Sequence, residues 1–154
     1  MATERTAAHR DIAVNRRATH DYFVDERFEA GLELTGTEVK SLRGGRVNLR
    51  DGYVRLDGAQ AWLENVHISP YAQGTWTNHD PMRRRRLLLH GRQIATLFGQ
   101  VRQQGYTLIP LRMYFRGNWA KVEIGLARGK KLYDKRQALA EREAKRQIER
   151  ALKR

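Results

Sequence analysis

Polar and apolar residues alternate with a period of two in several stretches of this chain, and that pattern predicts half-buried strands. The alternation is cleanest in RFEAGLEL, where Phe28, Ala30, Leu32 and Leu34 share one side and Arg27, Glu29 and Glu33 take the other. Upstream, DIAVNRR reads as a first strand or an arm, and HDYFVDE over 20–26 as extended chain. Thr35 and Glu38 form a T-x-x-E capping box that opens a short helix, with Val39 and Leu42 inward and Gly44-Gly45 as the stop. A strand is predicted over 47–56 with a bulge or bend at Asp51-Gly52, and Asp57-Gly58 turns it into a partner strand over 59–68. Two prolines, a glycine and small polar residues make 69–82 a surface loop.

The period changes to that of a helix between Gly91 and Gln104, where Ile94, Leu97, Phe98 and Val101 form one stripe. Gly99 interrupts it at a cost of about 1 kcal/mol, for which close backbone packing is the expected reason. Gly105 suits the residue after the helix. A second hairpin follows, 106–115 and 119–126 across Arg116-Gly117-Asn118, with Ala120, Val122, Ile124 and Leu126 on one side. Pro110 marks its first strand as an edge or a bulge. The expected architecture is mainly β: an OB-like antiparallel barrel over 11–128 with two or three short helices. Residues 1–10 are expected to be disordered. Such barrels commonly bind oligonucleotides, although a fold alone does not assign a function.

The last stretch, 129–154, follows neither pattern well. It carries ten basic residues against four acids, and from Lys135 onward it lacks Gly, Pro and every β-branched residue except Ile148. Helix propensity is therefore high while the apolar stripe of Leu139, Ala144, Ile148, Ala151 and Leu152 is thin. A free helix with so little to bury is marginal in water, so the segment reads as a tail disordered when free and helical when bound. Asp134 and Gln137 predict the helix start. Lys135 and Arg136 would then fall in the first turn, where the dipole disfavours cations, which points to an anionic partner. The plain alternative is a solvated terminus whose charges serve solubility.

Charge strengthens the anionic-partner reading. Lys and Arg number 30 against 17 Asp and Glu, a formal net charge of +13, as expected of a nucleic-acid binder. A membrane-surface protein would need a helix with large apolar residues on one face, and none is present. Cysteine is absent, which excludes disulfides and thiolate metal sites. No apolar run suggests a signal peptide or a membrane span, so a soluble, cytoplasmic protein is expected.

Catalytic patterns are missing. Ser41 and Ser69 are the only serines and neither has a G-x-S-x-G context. Phosphate-binding glycine motifs are absent. The five histidines lack metal spacing and the carboxylates are scattered. His20 beside Asp21 could be read as an acid–base pair, but a structural or RNA-contacting histidine fits better. No cofactor, metal or enzymatic activity is expected. The binding features are stronger. Arg83, Arg84, Arg85 and Arg86 can neutralise phosphates beside Leu87 to Leu89, or else protect a strand edge. Tyr71, Trp76 and Trp119 are candidates for stacking on bases, as is Tyr133 within the tail.

Three blocks carry a family resemblance: NRRATHDYFVDERFEAGLELTGTEVKSLRGGRVNLRDGYVRL, RRRRLLLHGRQI and NWAKVEIGLARGKKLYDKR. They resemble the bacterial SsrA-binding small protein B family over nearly all of 11–136. The resemblance implies an OB-like barrel that binds the tRNA-like domain of transfer-messenger RNA and takes it to stalled ribosomes, without catalysis of its own. His20, Glu29, Leu88 and His90 match motif positions tied to RNA binding, although some relatives have Asn where His90 stands. The tail would enter the vacant message channel and decoding centre. Gly129, Lys130, Lys131, Asp134, Lys135 and Arg136 match its motifs, and Tyr133 replaces a histidine of some relatives. The implied partners are the RNA, the ribosome (chiefly small-subunit rRNA) and, through the charged RNA, elongation factor Tu.

Overall fold

The computed structural model describes residues 11–72 and 78–153, with the side chains of 103–104 and 132–135 left aside. The expected disorder of 1–10 and the candidate Trp76 therefore lie outside the described residues. In chain order the elements are β1 (Asp11–Val14), α1 (Arg16–Asp21), β2 (Tyr22–Leu32), α2 (Gly36–Arg43), β3 (Val47–Asn48), β4 (Tyr53–Asp57), β5 (Gln60–Glu64), β6 (His67–Ile68), β7 (Arg85–Leu88), α3 (Gly91–Gln104), β8 (Thr107–Arg116), β9 (Trp119–Gly129) and α4 (Lys130–Leu152). Seven strands form one antiparallel sheet in the order β1-β8-β9-β2-β7-β5-β4, and β3 pairs with β6.

Alternation decides the two faces. Ala30, Leu32, Leu63, Leu87, Met113, Val122, Ile124 and Leu126 point to the inner face, where Leu42 of α2 and Ile94 and Leu97 of α3 complete one core. The Pro110 bulge appears as a register shift between Pro110 and Arg112, but β8 is not an edge because β1 pairs outside it.

The architecture is mainly β and OB-like, as expected, with the sheet left open rather than closed into a complete barrel. No hydrogen-bonded ladder joins the two ends of the sheet among the described residues, although β4 packs against β8. Asn15 spans this seam instead: its Nδ2 donates to the Leu49 carbonyl at 3.2 Å and to that of Pro110 at 2.9 Å. Gly52 lies in the same place. A Cβ there would approach Val66 Cγ2 to 2.6 Å and Pro110 Cγ to 2.9 Å. Overpacking of this kind costs about 1–3 kcal/mol, so Gly52→Ala is expected to lower the unfolding free energy by that margin, read as a lower denaturation midpoint. An unchanged midpoint would show that the seam is loose.

Four expectations are corrected. The extended reading of 20–26 fails at its start, since α1 runs through Asp21; burial of Ala18 among Ile109, Leu111 and Ala127 on the outer face favours a helix there. The strand over 47–56 is two strands in different sheets, parted by a turn in which Gly52 N donates to the Leu49 carbonyl. Gly99 packs against nothing, with open space around a built Cβ. The tail helix begins at Lys130 rather than at Asp134, because the chain leaves β9 directly into helical geometry. Cations still occupy its first turn, now Lys130 and Lys131.

Candidate nucleic-acid interface

The outer face of the sheet is read from its cross-strand pairs. Tyr114, Lys121, Gly31 and Leu88 form one rung across β8, β9, β2 and β7. Arg116 and Trp119 form the next rung toward the hairpin tip, and Arg86 pairs with Trp62 on the far side. α1 covers the opposite end of this face. What remains open is a surface with basic, aromatic and apolar groups interleaved.

The arginine run is sorted by the strand period. Arg83 and Arg85 turn inward, where one carboxylate receives both: Arg83 Nη2 to Glu38 Oε1 at 2.5 Å and Arg85 Nε to Glu38 Oε2 at 2.5 Å. Arg85 is wholly buried and also donates to the carbonyls of Val66 (2.6 Å) and Pro81 (3.1 Å). Its expected phosphate contact is thus not available, since the guanidinium is enclosed and its donors are occupied. Burial pulls Arg85 down from its ordinary pKa while Glu38 opposes the shift. Glu38 is raised by burial, yet the hydrogen bonds from Arg83, the Thr35 backbone and Arg85 outweigh this and leave it below its usual value. Arg84 and Arg86 turn outward. Arg84 stacks 4.1 Å from the Trp62 ring centre, and Arg86 is exposed.

Glu29 stands on the outer face of β2 and accepts from the Tyr114 hydroxyl and from Arg116 Nη1, the latter at 3.1 Å. Burial raises Glu29, but those two bonds and the charge of Arg116 set it lower than usual. The Tyr114 hydroxyl is pushed up by burial and by its bond to Glu29. Leu88 is 51% exposed and leans across bare Gly31, where a Cβ would sit 3.1 Å from the Leu88 Cβ. His90 is the N-cap of α3, its backbone N–H donating to Gln93 Oε1 at 3.3 Å. Arg86, Leu88 and His90 line one cleft together with Gln60 and Ile94.

His20 is not part of that cluster. It lies on the last turn of α1, exposed, with Nδ1 2.8 Å from Asp21 Oδ1. That bond is the largest influence holding Asp21 below the usual carboxylate range; burial opposes it and Arg17 assists it. His20 instead shares a cleft with Arg16, Arg17, Arg50 and Lys131. The tail root is fixed beside it. Gly129 pairs with Tyr22, and Lys130 Nζ donates to the Thr19 carbonyl at 2.9 Å and lies 5.3 Å from the Phe23 ring centre. Arg136 is exposed, as are the residues after it through Lys153. The side chains of Tyr133, Asp134 and Lys135 lie outside the described residues.

The predicted residues therefore divide between the two ends of β9. Ten residue steps separate Trp119 from Gly129, about 33 Å at the rise of an extended strand. Sequence reading missed three participants: Glu38 as the acceptor for two arginines, Lys121 on the rung of Leu88, and the cleft cations Arg16, Arg17 and Arg50. The spacing of Arg83 and Arg85 was the available signal for Glu38, since residues two apart on a strand face the same way. Among the described residues no cluster of His, Asp or Glu could hold a metal, and no helix is long and apolar enough to cross a membrane.

The sequence model of the family described as "SmpB protein" matches residues 12–154. An "SsrA-binding protein" of Roseiflexus sp. (strain RS-1) is 63% identical over 145 residues, covering 94% of this chain and 92% of that one. Another of the same description, from Carboxydothermus hydrogenoformans, is 58% identical over 142 residues, covering 92% and 95%. Among solved structures, a chain from "tmRNA-SmpB: a journey to the center of the bacterial ribosome" superposes with a TM-score of 0.65 at 50% identity, covering 77% of this chain and 83% of that one.

Proposed function

This chain belongs to the SmpB protein family, and from that premise we propose that it is an RNA-binding adaptor of trans-translation. It binds the tRNA-like domain of transfer-messenger RNA (SsrA) and delivers it to stalled ribosomes, where incomplete proteins are tagged for degradation. The observation that carries this reading is the match of relatives named for SsrA binding over more than nine-tenths of the chain. The protein acts by binding and needs no cofactor. Its partners are the RNA, the small-subunit rRNA of the ribosome and, through the charged RNA, elongation factor Tu; it works where ribosomes do, in the cytoplasm.

The two working parts are the body, 11–128, and the tail, 129–154. Glu29, Arg84, Arg86, Leu88 and His90 serve the transfer-messenger RNA on the open sheet face. His20, at the tail root, also serves the transfer-messenger RNA, while Gly129, Lys130, Lys131, Tyr133, Asp134, Lys135 and Arg136 serve the decoding centre. Arg83 and Arg85 serve the face indirectly, by anchoring the strand that presents Arg84 and Arg86.

Competition binding tests the reading. Transfer-messenger RNA is expected to displace itself far better than bulk tRNA does, with log affinity falling linearly against log salt. Equal competition by tRNA would reduce the chain to a general RNA binder, and a flat salt response would remove the electrostatic basis of the face.

A further inference from the structure

We propose that Trp119 is a base-stacking residue of the RNA face and that Lys121 holds an adjoining phosphate. The inference rests on the RNA-adaptor reading and assigns a contact that the motif residues above do not include. Trp119 is 73% exposed, the largest exposure of any aromatic residue on the described body. A tryptophan left open forgoes a large apolar contribution to folding, and local structure gives no reason for one here. The turn of the β8–β9 hairpin is made by Gly117, with φ of 62°, and Asn118. The cross-strand partner of Trp119, Arg116, is directed to Glu29. Trp62, the other described tryptophan, has Arg84 stacked on it. No cation lies over Trp119 among the described residues.

The surroundings select the ligand. Lys121, two residues along β9, points to the same face and sits on the rung of Gly31 and Leu88. Gly31 has no side chain and is buried beneath Leu88, whose exposed side chain stands on the same rung as Lys121. Glu29 on this face is already bonded by Tyr114 and Arg116. A planar apolar ring at the rim and a cation one rung away match a nucleotide, with its base on the indole and its phosphate at Lys121. Stacking of this kind needs a base outside a duplex. The RNA element received here is therefore an unpaired loop nucleotide rather than a helical stem.

The test uses the full chain with Trp62→Phe and Trp76→Phe, which leaves Trp119 as the only tryptophan. Its fluorescence is expected to be quenched saturably as transfer-messenger RNA is added, with the midpoint at the binding constant. In the otherwise unaltered chain, Trp119→Ala is expected to weaken this RNA about ten- to hundred-fold, the range for loss of one base–aromatic stack, and Trp119→Phe much less. Lys121→Gln is expected to reduce the salt slope by about one. Wild-type affinity in Trp119→Ala, or fluorescence unmoved at saturation, overturns the assignment. If Trp119→Ala proves misfolded, the fluorescence titration still decides. If the unaltered chain shows no preference for transfer-messenger RNA over tRNA, the adaptor reading fails instead, which separates the two.

Discussion

Glu38→Ala is expected to lower the unfolding free energy by about 3–5 kcal/mol, the usual penalty for removing one partner of a buried ion pair. The basis is the enclosure of both groups: Glu38 and Arg85 have no exposed side-chain surface. Without the carboxylate, Arg85 keeps its charge because a guanidinium does not deprotonate in proteins, and only backbone carbonyls remain to offset it. Arg83 can swing into solvent, so Arg85 carries the penalty. Denaturant unfolding reads the result as a lower midpoint at unchanged slope. A loss below about 1 kcal/mol would show that the carbonyls of Val66 and Pro81 hold the guanidinium by themselves. Glu38→Leu combined with Arg85→Met is expected to recover most of the loss, because apolar replacements of a buried pair are often neutral. Stability should also depend on pH in a defined direction. The folded Glu38 carboxyl lies below its ordinary value, so its contribution is full above the unfolded pKa and is lost as pH falls through the folded one. Glu38→Gln should flatten that acid limb.

Legibility from sequence followed the range of the forces involved. The T-x-x-E box, the Asp57-Gly58 turn and helix 91–104 were readable because neighbours in sequence determine them, and the inward set from Ala120 to Leu126 because a strand alternates strictly. α1 was not readable. Its reason is Ala18 against Ile109, Leu111 and Ala127, and no local pattern in RRATHD reports that contact. The open seam was hidden for the same reason, since Asn15 and Gly52 both act on Pro110, which for Asn15 is 95 positions away. The candidate site shows the same division. A family motif names Glu29, Leu88 and His90 individually, and strand periodicity already implied that the four arginines would split. Which pair turned inward depended on Glu38, whose carboxylate had an adequate local explanation as a capping residue. It performs both roles: Oε1 accepts from the Thr35 N–H at 2.9 Å while the arginines bond to the same group.

Deleting 129–154 is expected to reduce peptide tagging on a message without a stop codon to background while leaving affinity for transfer-messenger RNA within a few-fold. The geometry supports that separation. Every described side chain from Arg136 to Lys153 is exposed, with Leu139 at 59% and Leu152 at 81%, so removing that stretch uncovers no core. The body loses chiefly the bond from Lys130 to Thr19 and the cation over Phe23, about 26 Å along β9 from the rung of Lys121 and Leu88. The salt slope of RNA binding supplies a second, independent measure. The deletion removes ten basic residues and four acids, so if the tail bound the same RNA through its charges, the slope should flatten markedly. An unchanged slope places the RNA on the body alone. Lys135→Ala with Arg136→Ala then separates charge from geometry in the tail itself. Loss of tagging by that pair, with the other eight cations retained, requires particular contacts at the start of the helix; near-normal tagging means that 129–154 acts through charge spread along its length.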